Sequence, residues 1–287
     1  MYQHDSVTAY TCYHRLMGRA GVVLLLLLMA APAVYAADGA DLLAEARQLY
    51  NQHLFDAALI AADQAHLTPA VADLADLIAA RAYLERFRES AASADLVGAR
   101  DRLRRLNPER FDSMERTEFI VGLGEALYFE GSYGPAADVF ETVVDNATAL
   151  PADSRERVLD WWAIAVDRDA WPRPEFARGS AYQRIRTRMR DELTSRPGSA
   201  TAVYWLAAAA RADGDLQTAW DAVEAGWVRA SLAADGGEAL RADLDRLMVA
   251  AIVPERARTL GQQVESLKLE WEKFKERWGT GGEAPEQ

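Results

Sequence analysis

One helical-hairpin pattern recurs three times along this chain, and that recurrence limits what it can fold into. The clearest copy lies in residues 122–140. A small residue, Gly124, is followed by Leu127, a turn at Gly131, an aromatic at Tyr133, then Ala136 and Phe140. Seventy-eight positions earlier the same slots hold Ala46, Leu49, His53, Phe55, Ala58 and Ala62. Eighty-three positions later they hold Ala207, Ala210, Gly214, Leu216, Ala219 and Val223. Recurrence of one supersecondary unit implies an array of stacked units, not a globule wrapped around one pocket.

The rest of the chain fits helices only. Alanine, leucine and arginine dominate, and period-two runs of Val, Ile and Thr are nearly absent, which favours helix over strand. Apolar periodicity predicts helices over 42–50, 55–65, 71–84, 96–106, 119–129, 135–144, 155–166, 181–193, 202–212 and 216–230. The Asn107-Pro108, Trp171-Pro172-Arg173-Pro174 and Arg196-Pro197-Gly198-Ser199 segments punctuate them. The spacing leaves room for two weaker hairpins, in 70–107 and 154–195. The expected fold is all-α, an α-solenoid of about five hairpins over residues 37–253.

These hairpins resemble tetratricopeptide repeats, whose unit is about 34 residues long. Gly124, Ala136 and Phe140 match the family's small and aromatic slots, as do Ala46, Ala58 and Ala65, and again Ala207 and Ala219. Small side chains there let helices approach to about 8–10 Å. The spacing here is longer than the family's, and Gly226 stands where the family usually has alanine. The resemblance implies that the first helix of each hairpin lines a concave groove. By alignment, the groove positions are Arg47 and Tyr50, then Glu125 and Tyr128, then Tyr204 and Arg211. Three tyrosines among charges suit a protein or peptide partner in extended form.

After the repeats, residues 254–278 read as one amphipathic helix. Leu260, Val264, Leu267, Trp271, Phe274 and Trp278 follow heptad steps. Two roles compete for the seam of Leu267, Trp271, Phe274 and Trp278. It closes the open end of the array as a cap, or it binds a partner or a second copy, which would make the protein an oligomer. Residues 279–287 read as a disordered tail.

The N-terminus reads as an export signal in residues 1–36. Arg15 and Arg19 precede an apolar run with five leucines at 24–28, and Val34-Tyr35-Ala36 offers cleavage after Ala36. Translation starts at Met1 or at Met17. The expected location is the periplasm or the exterior, without stable membrane insertion after cleavage; a signal-anchored inner-membrane protein is the alternative. The single cysteine, Cys12, leaves with the signal, so the exported part forms no disulfide.

The net charge is −12, which argues against nucleic acid as a partner. Two basic stretches, Arg100, Arg102, Arg104, Arg105 and Arg184, Arg186, Arg188, Arg190, read as solvated helix faces. Downstream of residue 36 the only histidines are His53 and His66, too few for a Cys- or His-rich zinc site. No Gly-rich phosphate loop follows a strand, and Gly179-Ser180-Ala181 lacks the surroundings of a nucleophile elbow. The expectation is no enzyme, no cofactor and no metal. A second function class remains at 161–171, where Trp161, Trp162 and Trp171 accompany Asp167 and Asp169. Carboxylates beside tryptophans suit a carbohydrate-binding or glycan-active site.

Overall fold

The computed structural model describes residues 38–146, 150–233 and 235–278. Residues 1–36, expected to be an export signal and holding Cys12, and residues 279–287, expected to be a tail, lie outside the described residues. Among the described residues the chain is all-helical, with no strand. In order come α1 (Gly39–Asn51), α2 (Phe55–His66), α3 (Ala72–Ser90), α4 (Ser93–Leu103), α5 (Ser113–Phe129) and α6 (Tyr133–Val144). Then follow α7 (Ala152–Ala170), α8 (Glu175–Ser195), α9 (Ala200–Ala212), α10 (Leu216–Arg229), α11 (Glu238–Leu247), α12 (Val253–Leu260) and α13 (Val264–Trp278). A π-helical turn, Met248–Ile252, joins α11 to α12 without a break.

The three copies of the pattern make the same turn. His53, Gly131 and Gly214 have φ of 60°, 80° and 79°. In each copy the residue after the left-handed one donates its N–H back five positions: Leu54 to the Leu49 carbonyl at 3.0 Å, Ser132 to Leu127 at 2.9 Å, and Asp215 to Ala210 at 3.0 Å. Each left-handed residue itself donates to the carbonyl three before it, Tyr50, Tyr128 and Arg211. This is the Schellman ending of a helix, and it reverses the chain within three residues. Glycine adopts that conformation freely, whereas a side chain is strained there. His53 tolerates it in part because its ring meets the Phe55 ring edge-on at 5.7 Å.

Ala91, at the end of α3, is the other non-glycine residue at positive φ, 54°. It is exposed and has no compensating ring contact. Ala91→Gly is therefore expected to raise stability by about 0.5–1 kcal/mol, read as a higher urea midpoint at unchanged slope.

Helices pack on the next helix and on the next but one. The hairpin pairs are α1 with α2, α3 with α4, α5 with α6 and α9 with α10. Alternate helices also touch side by side: α1 with α3, α3 with α5, α7 with α9, and α9 with α11. Close approach depends on small residues. Ala46, Ala58, Ala62, Ala136, Ala207 and Ala219 are fully buried. A Cβ on Gly124 would lie 2.5 Å from the Phe140 ring, so the pairing of α5 with α6 needs glycine there. The core is a chain of seams: one cluster spans α1 to α3, another α3 to α5, and the largest α6 to α13.

The C-terminal segment is not one helix. Gly261, at φ +64°, ends α12, and the chain restarts as α13 at Val264. The heptad register therefore does not carry across: Leu260 and Trp278 are half exposed, while Leu267 and Trp271 are buried. Phe274 is partly buried and stacks on Trp271 at 5.6 Å. Trp271 packs edge-on against Trp227 of α10 at 5.2 Å, and its indole N–H donates to Asp245 of α11 at 2.8 Å. The seam is thus largely consumed within the chain, with Trp278 left at the surface.

Candidate functional site

Helices α1, α3 and α5 lie side by side and present a stripe of polar and aromatic residues. On α5, Glu118, Val121, Glu125 and Tyr128 share one face by their three- and four-residue spacing. Arg81 and Glu85 stand one turn apart on α3, and Tyr50 comes from α1. The Arg81 guanidinium lies 4.7 Å from the Tyr50 ring centre and 3.2 Å from the Glu118 carboxylate. The Tyr50 hydroxyl donates to Glu85 Oε1 at 3.4 Å. Arg88 pairs with the other Glu85 oxygen at 2.7 Å and lies 5.7 Å from the Trp161 ring on α7.

Between α3, α5 and α7 these residues enclose a cleft of about 120 Å³. Arg81, Glu85, Glu118 and Glu125 form its polar walls, with Leu150 and Trp161 on the apolar side. Glu125 sits at its floor. Part of its surface still faces the opening, but protein surrounds its side chain. Burial pushes its carboxyl up to about 8; Glu85 adds to the rise, and Arg81, Arg88 and Arg157 offset only part of it. Burial likewise raises the Tyr50 phenol, with Arg81 opposing. Burial alone would lower Arg81, but Tyr50, Glu118, Glu125 and Glu85 together hold it above its ordinary value.

Folded Glu125 keeps a proton that the unfolded chain gives up above about pH 4.5, so stability falls as pH rises from there to about 8. Glu125→Gln is expected to flatten that slope, checked by urea unfolding at both ends of the window.

Of the six groove positions expected from the sequence, Tyr50 and Glu125 meet at this cleft. Tyr128 lies one turn further along α5, edge-on to Tyr133 at 5.3 Å. Arg47 is exposed on α1. Tyr204 and Arg211 stand on α9 in a second polar group. There the Trp205 indole donates to Asp160 at 2.7 Å, and Arg211 binds Glu255 of α12 through two hydrogen bonds, of 3.0 and 2.5 Å. Arg211 is thus a strut between helices. Arg81, Glu85, Glu118 and Trp161 are additional members of the first site. Their helices fall in the weaker hairpins or outside the aligned slots, so the repeat alignment did not single them out.

No protein-family model, no curated protein and no solved structure matches this chain. The tetratricopeptide resemblance accordingly rests on the hairpins themselves.

The tryptophans of 161–171 do not converge. Trp161 faces the cleft, edge-on to Phe129 and Phe140. Trp162 is fully buried, between Arg184 and Arg188. Trp171 is exposed at the end of α7, under Arg178. A helix rise of about 1.5 Å per residue sets Trp161 and Trp171 roughly 15 Å apart along the axis. Asp167 lies against the Tyr182 hydroxyl, its carboxyl raised by burial with Tyr182 and Arg168 opposing.

Five arginines of the basic stretches pair with acids elsewhere in the fold. Arg100 meets Glu130 at 3.2 Å, and Arg102 meets Asp63 and Asp76. Arg184 pairs with Glu141, and Arg188 with Asp145. Arg186 departs from the solvated face expected of it. It is buried and spans Asp213 and Asp215, at 3.2 and 2.9 Å, in the α9–α10 turn. Among the described residues no group of three His, Cys, Asp or Glu side chains is placed to hold a metal ion, and no helix is long and apolar enough to cross a membrane.

Proposed function

We propose that this chain is an exported, non-catalytic α-solenoid of tetratricopeptide-like hairpins that binds an extended protein segment, as a scaffold or assembly factor of the bacterial cell envelope. The face of the alternate helices α1, α3, α5, α7 and α9 is the binding surface. The observation that supports this is the stripe running from Tyr50 through Arg81, Glu125 and Tyr128 towards Tyr204. It combines rings, which give contact area at low entropy cost, with charges that fix register. Export rests on the basic-then-apolar pattern of residues 1–36.

Display of random decapeptides tests the reading. Selected peptides are expected to bind saturably and to change tryptophan fluorescence through Trp161. Tyr50→Ala and Tyr128→Ala should each weaken binding about tenfold. Failure to select any peptide, or binding by both variants as tight as by the unaltered protein, would overturn it.

A further inference from the structure

The charged groups at the α3–α5–α7 cleft are not equally satisfied. Arg81 has Glu118 and the Tyr50 ring, and Arg88 has Glu85 and the Trp161 ring. The Tyr50 hydroxyl has Glu85. Glu125 makes no hydrogen bond and no ion pair with any described residue, although it faces into the cleft from its floor. Buried carboxylates are ordinarily paired or hydrogen-bonded. The unmet group of this site is therefore a carboxyl, which becomes an acceptor only once it gives up its proton.

We infer that the cleft takes a basic side chain, the ammonium of lysine or the guanidinium of arginine, presented by an extended peptide, with Glu125 as its counter-charge. The inference rests on the peptide-binding reading above and names the side chain that reading leaves open. A volume of about 120 Å³ holds one long side chain and is well below the roughly 300 Å³ and more of sites for drug-sized ligands. The walls suit the stem of such a side chain: Val121, Leu150, Val158 and Trp161 line it. Long basic side chains bury their methylenes along apolar surface, and an indole face adds cation–π attraction.

The groups facing Glu125 come from four helices. Tyr50 stands on α1, Arg81, Glu85 and Arg88 on α3, Glu118 on α5, and Arg157 on α7. Arg81 and Arg88 are already committed to Glu118 and Glu85, and Arg157 is exposed at the rim. An incoming cation therefore adds the one opposite charge in contact with Glu125. Because burial holds the Glu125 proton up to about pH 8, binding a cation near neutral pH displaces that proton into solvent.

Four decapeptide libraries, with lysine, arginine, glutamine or glutamate fixed at the centre, provide the test against the protein and its Glu125→Gln variant. The lysine or arginine library is expected to bind about tenfold or more tightly than the glutamine library. Glu125→Gln should keep peptide binding and lose that preference. Titration calorimetry of a selected basic peptide, in buffers of different ionisation enthalpy, should show proton release by the unaltered protein, a readout that does not depend on how the variant folds. Peptides that bind with no basic preference, an acidic preference, retention of the preference by Glu125→Gln, or binding without proton release would each overturn the inference while leaving the peptide-binding reading standing. Failure of all four libraries to bind would remove both.

Discussion

Arg155→Ala is expected to destabilise the protein by about 3 kcal/mol, the lower end of the range for breaking a buried ion pair. Arg155, near the start of α7, donates two hydrogen bonds to Glu192, near the end of α8, at 3.0 and 2.8 Å. The side chains expose 7% and 3% of their surface, so removing the guanidinium strands a covered carboxylate. Arg196 also reaches Glu192, at 2.9 Å, and retains part of the compensation in the variant. The pair lies near helix ends, where water is close, which also favours the lower figure. Burial alone would raise the Glu192 carboxyl, but hydrogen bonds and charge from Arg155, with Arg196, hold it below its ordinary value. The stabilisation is therefore complete above the unfolded carboxyl value, about 4.5, and is lost as pH falls through the lower folded value. Urea midpoints near neutrality should show the loss, and the difference between variant and parent should shrink on acidification. A double replacement, Arg155→Met with Glu192→Leu, should recover most of the loss, because it leaves no stranded charge. A loss below about 0.5 kcal/mol, typical of exposed pairs, would mean that the pair is solvated.

The helical class and the three turns were legible because they are local. A small residue, an apolar residue three later and a left-handed residue four beyond that report one Schellman ending, as Leu49, Leu127 and Ala210 show. The start of α5 was misplaced, because the apolar periodicity begins at residue 119, six residues after the helix does. Asp112 and Glu115 form a capping box, with the Asp112 side chain accepting from the Met114 and Glu115 N–H groups at 2.8 Å and Glu115 reaching back at 3.0 Å. The break at Gly261 was masked because Leu260 and Val264 keep a helical spacing across it. Of the candidate site, Tyr50 and Glu125 came from alignment, while Arg81 and Trp161 did not. Which side chain faces Tyr50 depends on how α3 is rotated and slid against α1 and α5, and neighbouring helices set that register. Arg155 and Glu192 are 37 positions apart and pair for the same non-local reason.

Trp271→Ala should lower the melting temperature by roughly 10 °C, which corresponds to about 3–5 kcal/mol for truncating a buried tryptophan. Trp271 is fully buried and covers Trp227 of α10. Its indole N–H and the Lys275 ammonium both donate to one Asp245 oxygen, at 2.8 and 2.7 Å. Burial alone would raise the Asp245 carboxyl, but these two donors hold it down, so α13 is clamped to α11 by charge as well as by packing. α13 contacts α10 and α12, and those contacts close the largest apolar cluster, which runs back to α6. In an array whose units touch only their neighbours, an uncovered last unit frays first and weakens the unit beneath it. Hydrogen exchange on the Trp271→Ala protein is accordingly expected to speed up in α13, α12 and α10 while α1 to α4 keep their protection. A uniform loss of protection along the chain would mean that the helices unfold as one cooperative block. An unchanged melting temperature would mean that α13 adds nothing to the stack and that its aromatic face serves a partner instead.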